Sequence, residues 1–308
     1  MPSKHSDGIF RRLGQYGTMA TKKLDIGLRQ AKRLCNMTHE ARLIFIAEGL
    51  PIILKSAQGF WDASCTLKDS PREAEVLEGF AKEEAAKILI LMDAVRCPVK
   101  LLPARIGTIV DWFYDHLARL IYAESIAWAP MHVTQLREYV KDHREAHYVD
   151  GFAGQYILPN WNVYRRESQL YVDVQAFEDG EPHWSAPIGH RHGFLHYVPP
   201  ILRLVEAMSA AGIFTARGIK ATSEVWSKVE FKDTENREDC ERLTQELLGR
   251  LIAEKLPSPA ATHDHVNALF RLWQLPMYDF DFTQIHVPLD ELREEQDRLL
   301  WSEIGDPR

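Results

Sequence analysis

The chain has 308 residues, of which 45% are hydrophobic and 26% are charged. These proportions are typical of a globular protein with one large or two modest cores, and they argue against a disordered chain. Asp and Arg interrupt the apolar stretch 109–123 every few residues, so we expect no membrane-spanning helix. The N-terminal residues lack the apolar centre of a signal peptide, so we expect a cytoplasmic protein with no membrane partner.

The net charge of −7 is distributed unevenly along the chain. Residues 1–34 contain eight Lys and Arg residues against two Asp residues, a net charge of +6, so the rest of the chain carries −13. The sequence therefore predicts a basic N-terminal arm over 1–37 that could contact phosphate groups or an acidic partner. A solvated terminal segment without a binding role explains the same pattern.

Apolar residues at three- and four-residue spacing predict a helix over 38–64, with Thr38 as its N-cap and a kink or a new start at Pro51. A second helix is predicted from Pro71 to about Ala94, with Ser70 as a candidate cap.

The rest of the chain shows mostly the same helical period. A strong stripe predicts one helix over 106–121. Alternating aromatic residues make 277–287 the only strand-like stretch, and residues 179–182 mark a turn in a short hairpin or irregular segment. Further helices are predicted over 131–148, 162–171, 199–211, 220–229, 234–255, 263–273 and 288–301. The predicted fold class is all-α.

The helix that begins at Pro71 carries a carboxylate on its apolar face. The predicted inward stripe is Leu77, Phe80, Glu84, Ile88, Leu91 and Val95. Glu84 should therefore be at least partly buried, and a buried charge needs a partner. Lys87 lies one turn after Glu84 and four residues after Glu83, so an ion-paired cluster is available. Such a cluster either holds helices together or belongs to a functional site.

Arg and His residues recur in three later segments. His116 and Arg119 are three residues apart and project from one edge of their helix. Arg137 precedes His143, with five residues between them. The segment 165–173 adds Arg165, Arg166, Tyr171 and Asp173.

Four segments together resemble the AbiV family. They are AEGLPIILKSAQGFWDAS (47–64), EGFAKEEAAKILILMDA (78–94), WFYDHLAR (112–119) and RRESQLYVDVQAFEDGEPHWSAP (165–187). The family pairs a Glu-Glu-x-x-Lys helix with a later Arg-containing phrase that ends in Leu-Tyr-Val-Asp. AbiV proteins are similar to HEPN domains, which are helical bundles and often dimers. The resemblance implies a HEPN-like helical domain over 38–187, followed by an additional C-terminal helical region over 188–308.

Many HEPN domains are metal-independent ribonucleases that use an Arg and a His separated by four to six residues. Arg137 with His143 has this spacing, as has Arg191 with His196. His116 with Arg119 or Arg166 could instead form a dispersed site. The candidate catalytic residues are Glu83, Glu84, Lys87, His116, Arg137, His143, Arg166 and Asp173.

The resemblance implies a toxin-like abortive-infection protein, a homodimer that cleaves RNA and arrests translation in a phage-infected cell. It implies RNA or the ribosome as a partner, a phage-encoded activator or antitoxin, and no cofactor. An alternative is a module that binds RNA, the ribosome or a phage protein without cleavage. A third interpretation is a helical scaffold in which the pair Glu84 and Lys87 only fixes packing.

Metal-binding patterns are weak in this sequence. The four cysteines are far apart and form no CxxC motif: Cys35, Cys65, Cys97 and Cys240. Several histidines cluster, but few acidic residues accompany them, and we interpret them as loop histidines rather than zinc ligands: His183, His190, His192, His196, His263 and His265.

Overall fold

The structure, a computed structural model, describes residues 26–150, 156–158, 160–175, 181–189 and 197–304. The first 25 residues of the predicted basic arm therefore lie outside the described residues. Helix α1 (Ile26–Ala31) leads into a 3-10 turn (Lys32–Asn36), and α2 covers His39–Thr66. Thr38 caps α2 as predicted, since its hydroxyl accepts a hydrogen bond from the backbone N–H of Ala41 at 3.3 Å. Helix α2 runs through Pro51 without a break.

Helix α3 covers Pro71–Arg96, which confirms the second predicted helix and its N-terminal proline. Ser70 lies at the N-cap position of α3, as predicted, but its side chain makes no capping hydrogen bond.

The stripe over 106–121 belongs to two helices rather than one. Helix α4 (Leu102–Tyr114) ends before Asp115, and α5 covers His116–Ser125. The Asp115 carboxylate accepts a hydrogen bond from the Ala118 N–H at 2.8 Å and thereby caps α5. The break places His116 at the start of a helix.

The later helices follow the predicted order. They are α6 (Val133–Glu145), α7 (Trp161–Leu170), α8 (Pro200–Ala210), α9 (Ala216–Trp226), α10 (Arg237–Ala253), α11 (His263–Leu272) and α12 (Leu289–Ile304). Two short antiparallel hairpins join them: β1 (Tyr148–Asp150) pairs with β2 (Tyr156–Leu158), and β3 (Asp173–Gln175) pairs with β4 (His183–Ser185). The pairing of β3 with β4 agrees with the hairpin alternative predicted around 179–182. The predicted turn itself lies partly outside the described residues, which do not include 176–180. The protein is all-α.

The segment 277–287 is not a strand. Tyr278, Phe280 and Phe282 are buried, which explains the alternation of aromatic residues. No neighbouring chain segment pairs with this segment in the described residues. Its aromatic rings pack on helices instead: Phe282 lies 4.8 Å from Trp112 and 5.1 Å from Tyr122 between ring centroids. The period-2 pattern reflected burial and not a β-ladder.

Helix α3 lies at the centre of the core. It packs against α2, α4, α5, α7, α8 and α9, and every residue from Ile88 to Pro98 is buried. One hydrophobic cluster extends from Leu34 to Phe282, so it includes residues of both predicted regions, 38–187 and 188–308. The boundary at 187 stays a prediction.

Helix α2 is long and apolar enough to cross a membrane by length and composition, with a mean hydropathy of 1.4 in its most apolar window. One third of that window is buried. A core helix of a globular protein can meet the same criterion, so this feature alone identifies no span.

Candidate functional site

A buried carboxylate, Glu83 on α3, holds three basic side chains. Its side chain is 6% exposed. Oε2 lies 2.7 Å from Nδ1 of His116 and 3.3 Å from Nη1 of Arg119, and Oε1 accepts a hydrogen bond from Nε of Arg166 at 2.6 Å. Both carboxylate oxygens are therefore engaged, and His116 and Arg166 lie at opposite oxygens of one group. We call these four residues the Glu83 cluster.

Two helix starts, those of α5 and α7, bring the partners of Glu83 together. The cap at Asp115 begins α5, so His116 and Arg119 both lie in its first turn, on the side that faces α3. Helix α7 begins at the Asn160 cap, whose side-chain oxygen accepts from the Val163 N–H at 3.1 Å. The Asn160 amide also donates to the carbonyl of His143 at 3.2 Å, which ties α7 to the end of α6 and fixes the position of Arg166.

The electrostatics of the cluster favour a charged carboxylate. Burial acts to raise the pKa of Glu83, but hydrogen bonds from His116 and Arg166 and the charge of Arg166 outweigh it and lower that pKa to about 2. Glu83 is therefore ionised at neutral pH. Two guanidinium groups face one carboxylate, which leaves the cluster with a net positive charge before His116 is counted.

The partners of Glu83 differ in their access to solvent. The Arg119 side chain is 10% exposed, and its Nε donates to the Phe113 carbonyl at 2.9 Å, so it acts as an internal brace. The Arg166 side chain is 17% exposed, and that of His116 is 49% exposed. Because Glu83 occupies Nδ1 of His116, the imidazole can offer Nε2 to a ligand.

An open cavity of about 530 Å³ lies beside the cluster. His143 lines it, with Nδ1 2.9 Å from the Tyr139 carbonyl, so its Nε2 is also available. Two acidic lining residues are engaged by neighbours, Glu78 by Lys82 at 2.9 Å and Glu75 by Gln169 at 2.7 Å. The full lining is Glu75, Glu78, Gly79, Lys82, Glu83, Leu120, Ala123, Glu124, His143, Trp161, Asn162, Arg165, Arg166, Gln169 and Tyr197.

Of the two neighbouring glutamates on α3, it is Glu83 that contacts residues of other helices. Glu84 is partly buried and pairs with Lys87, as predicted, and Lys87 lies 5.5 Å from the Phe113 ring. Neither residue contacts the Glu83 cluster through a hydrogen bond or ion pair. The predicted apolar stripe of α3 includes Leu77 and Phe80, but both are only partly buried. In the N-terminal half of α3, several of the fully buried residues are small: Ala74, Ala81 and Ala85.

Arg137 and His143 do not converge, although their spacing matches the HEPN pattern. Six positions along a helix leave two side chains about 120° apart. Arg137 turns toward a different cavity, where it lies 3.6 Å from Asp233 and 4.6 Å from the Phe280 ring centroid. Asp173 is exposed on β3, where its carboxylate accepts from the Val174 N–H, and it is not part of the cluster. Of the alternatives left open by the sequence, the structure brings together the dispersed set, His116 with Arg119 and Arg166, around Glu83.

The sequence analysis left several cavity residues out of its candidate set. Arg119 was named only as an alternative partner of His116, and its position one turn later on the same helix edge was the signal for including it. Arg165 directly precedes Arg166 and lines the cavity. Trp161 and Tyr197 also line it, and no local pattern marks Tyr197, which is 74% exposed.

The histidine-rich segment falls largely outside the described residues. The predicted residues that lie outside them are His190, Arg191, His192 and His196. His183 is exposed on β4, and His265 contacts the Thr262 cap of α11 at 3.0 Å through Nδ1. Within the described ranges, no three His, Cys, Asp or Glu side chains are grouped so as to hold a metal ion.

Searches against models of known families, curated proteins and solved structures found no significant match for this chain.

Proposed function

We propose that this protein is a metal-independent endoribonuclease of HEPN type and that the Glu83 cluster is its active site. The supporting observation is the buried carboxylate that holds a half-exposed imidazole at one oxygen and a guanidinium at the other. A carboxylate accepts at Nδ1–H and so keeps the neutral ring as the tautomer with a free Nε2, which is the form a general base requires.

The proposed reaction uses the nucleophile that RNA itself carries. Nε2 of His116 accepts the proton of the ribose 2′-hydroxyl, and that oxygen attacks the adjacent phosphorus. The bond from phosphorus to O5′ breaks, which gives a 2′,3′-cyclic phosphate and a 5′-hydroxyl end. His143 is the proposed acid that protonates O5′, because its ring lines the cavity to which Glu83 and Arg166 also contribute.

Arg166 is the proposed phosphate clamp. Only its Nε contacts Glu83, so the two terminal nitrogens can form paired hydrogen bonds to phosphate oxygens. Arg119 holds Glu83 in place from the buried side, with its Nη1 3.3 Å from Oε2. Neither a metal ion nor a cofactor takes part in this scheme.

We propose a cellular role that follows the AbiV resemblance. The protein would be a cytoplasmic abortive-infection toxin, a homodimer that cuts RNA or ribosome-associated RNA and arrests translation when a phage-encoded activator, or loss of an antitoxin, releases it.

The direct test is incubation of purified protein with total RNA in EDTA. We expect cleavage, with 2′,3′-cyclic phosphate ends on the fragments, and we expect His116→Ala to abolish it. His147→Ala is a matched control, because His147 also pairs with a glutamate, Glu295, at 2.7 Å, but outside the cluster. Absence of cleavage under every condition, or equal loss in both variants, would contradict the assignment.

A non-catalytic RNA-binding module is the second candidate. Tyr197 and Trp161 line the cavity beside Arg165, and exposed aromatic rings next to cations can stack bases without any chemistry. Tight RNA or ribosome binding by the wild-type protein, with no cleavage, would favour this candidate over the enzyme.

A further inference from the structure

A second cavity of about 530 Å³ lies between α1, the 3-10 turn, α2, α3 and α4. It shares no lining residue with the cavity beside the Glu83 cluster. Its volume is within the range of small-molecule sites. Its walls are mainly apolar: Gly27, Gln30, Ala31, Arg33, Leu34, Met37, Phe45, Ile46, Gly49, Ile53, Leu91, Val110, Phe113 and Tyr114.

The 3-10 turn that forms one wall is held in place by a buried arginine. Nε of Arg42 donates to the Leu34 carbonyl at 2.9 Å, and Nη2 donates to the Met37 carbonyl at 2.8 Å. Arg42 is 6% exposed. Because the buried guanidinium donates to two backbone carbonyls of this segment, the position of the wall is fixed by the packing of the core.

Gly49 leaves part of the cavity open. It lies in the interior of α2, where glycine costs stability relative to alanine. A Cβ built at Gly49 meets no other atom within 4 Å, so close packing does not require glycine at this position. What the missing side chain provides is space in the cavity.

Charge at the rim is of one sign. Among the residues the structure describes, Arg33 is the only charged residue that lines this cavity, it is exposed, and it has no ion-pair partner. Its neighbour Lys32 is paired with Asp111 at 3.3 Å. The site therefore combines a mainly apolar lining with one available cation.

We propose that this cavity binds a single alkyl chain with an anionic head group, of the fatty-acid class. The chain lies along Phe45, Ile53 and Phe113, and its carboxylate meets Arg33. Transfer of the apolar tail from water into the cavity lowers its free energy. The head group keeps its charge because Arg33 lies at the solvent-exposed rim. Phe45 is 50% exposed, and a bound chain would cover it.

The test is titration calorimetry of the full-length protein with decanoate, below the concentration at which it forms micelles. We expect saturable binding to the wild type. Gly49→Leu should weaken it about tenfold or more, because displacing two methylene groups of the ligand already costs that much. Gly59→Leu is the matched control, since Gly59 is also on α2 and faces open space but does not line the cavity. Arg33→Gln should weaken binding of decanoate and leave binding of decanol unchanged.

Three results would overturn the proposal. The first is equal decanoate affinity in the wild type and Gly49→Leu. The second is no decanoate binding to the wild type together with binding to phosphatidylglycerol vesicles, which would make α2 a membrane-surface helix. The third is no decanoate binding together with a smaller sedimenting species for Gly49→Leu, which would show that a second copy of the chain covers the cavity.

Discussion

Helix α3 carries two buried carboxylates, Asp93 and Glu83, with opposite surroundings. Asp93 is fully buried, and so are its partners: Arg96 binds one oxygen, while the Tyr122 hydroxyl at 2.7 Å and the Met277 N–H at 2.8 Å donate to the other. The Arg96 guanidinium lies between two indole rings, 4.8 Å from Trp226 and 5.1 Å from Trp273. This network joins α3 to the C-terminal half of the chain and leaves no group that a ligand could reach.

Glu83 also forms ion pairs, but some of its partners reach solvent. One partner, Arg119, is enclosed, whereas Arg166 lies beside an open cavity and His116 is half exposed. The comparison indicates that burial of the carboxylate does not separate a scaffold from a site. The exposure of its partners does, because only groups that reach solvent can contact a substrate.

The largest expected effect is at the closed network. Asp93→Ala should lower the free energy of unfolding by about 3–5 kcal/mol, since it leaves the Arg96 charge buried without a partner. Urea denaturation measures this loss. Asp111→Ala, which removes a half-exposed carboxylate, should change stability by no more than about 0.5 kcal/mol. If Asp93→Ala does not fold, Tyr122→Phe should still cost about 1 kcal/mol. Similar stabilities for both aspartate variants would show that the network is not structural.

The next effect depends on pH. The pKa of Glu83 is lowered from 4.5 to about 2, so its ionisation stabilises the fold above pH 4.5, and that contribution is lost as pH falls toward 2. Relative to Glu83→Gln, the wild type should be more stable by roughly 3 kcal/mol at pH 7. Denaturation at a series of pH values should show this difference shrinking between pH 4.5 and 2. A difference that is constant over that range would contradict the ion-paired cluster.

A smaller effect separates the two arginines that the sequence analysis proposed. Arg166→Lys should slow RNA cleavage about tenfold to a hundredfold, because lysine lacks both the Nε contact to Glu83 and the paired donors for phosphate. Arg137→Lys should leave the rate unchanged, since Arg137 lies at another cavity. Equal rates for the two variants would remove Arg166 from the site.

The smallest expected change in stability is at the ion pair of Glu84 with Lys87. Glu84 lies on the predicted apolar stripe and Glu78 does not, so the sequence alone predicts a larger loss of stability for Glu84→Ala than for Glu78→Ala. Both side chains are about one-fifth exposed and pair with a lysine on the same helix, so each change should cost about 1 kcal/mol or less. Thermal denaturation of the two variants beside Glu83→Gln checks the order. A large loss for Glu84→Ala alone would restore the original interpretation.

Most of the fold was predictable because helices leave a local signal. The apolar period located most of the helices, and Thr38 and Pro71 marked two helix starts. The break at Asp115 was missed, although Asp is a good N-cap, because the apolar stripe continues across it. The false strand at 277–287 shows that an alternating pattern needs a pairing partner, which sequence does not reveal.

The candidate site was only partly predictable because it depends on how helices pack. Of the predicted site residues, His143 and Arg166 line the cavity and His116 contacts Glu83, while Arg137 and Asp173 lie elsewhere. The sequence placed Glu84 rather than Glu83 on the inward face of α3, because other helices pack against α3 on several sides. Its C-terminal half is buried all round, so no single stripe defines its phase. The convergence of α5 and α7 on Glu83 is a tertiary property.

The most direct measurement compares RNA cleavage and stability in His116→Ala. Because the His116 side chain is half exposed, its loss should change the free energy of unfolding by less than about 1 kcal/mol. If His116 is the general base, cleavage in EDTA should fall about 10²- to 10⁴-fold in the same preparation. Unchanged cleavage, or a loss of cleavage that follows a loss of folded protein, would contradict the assignment of the Glu83 cluster as the active site.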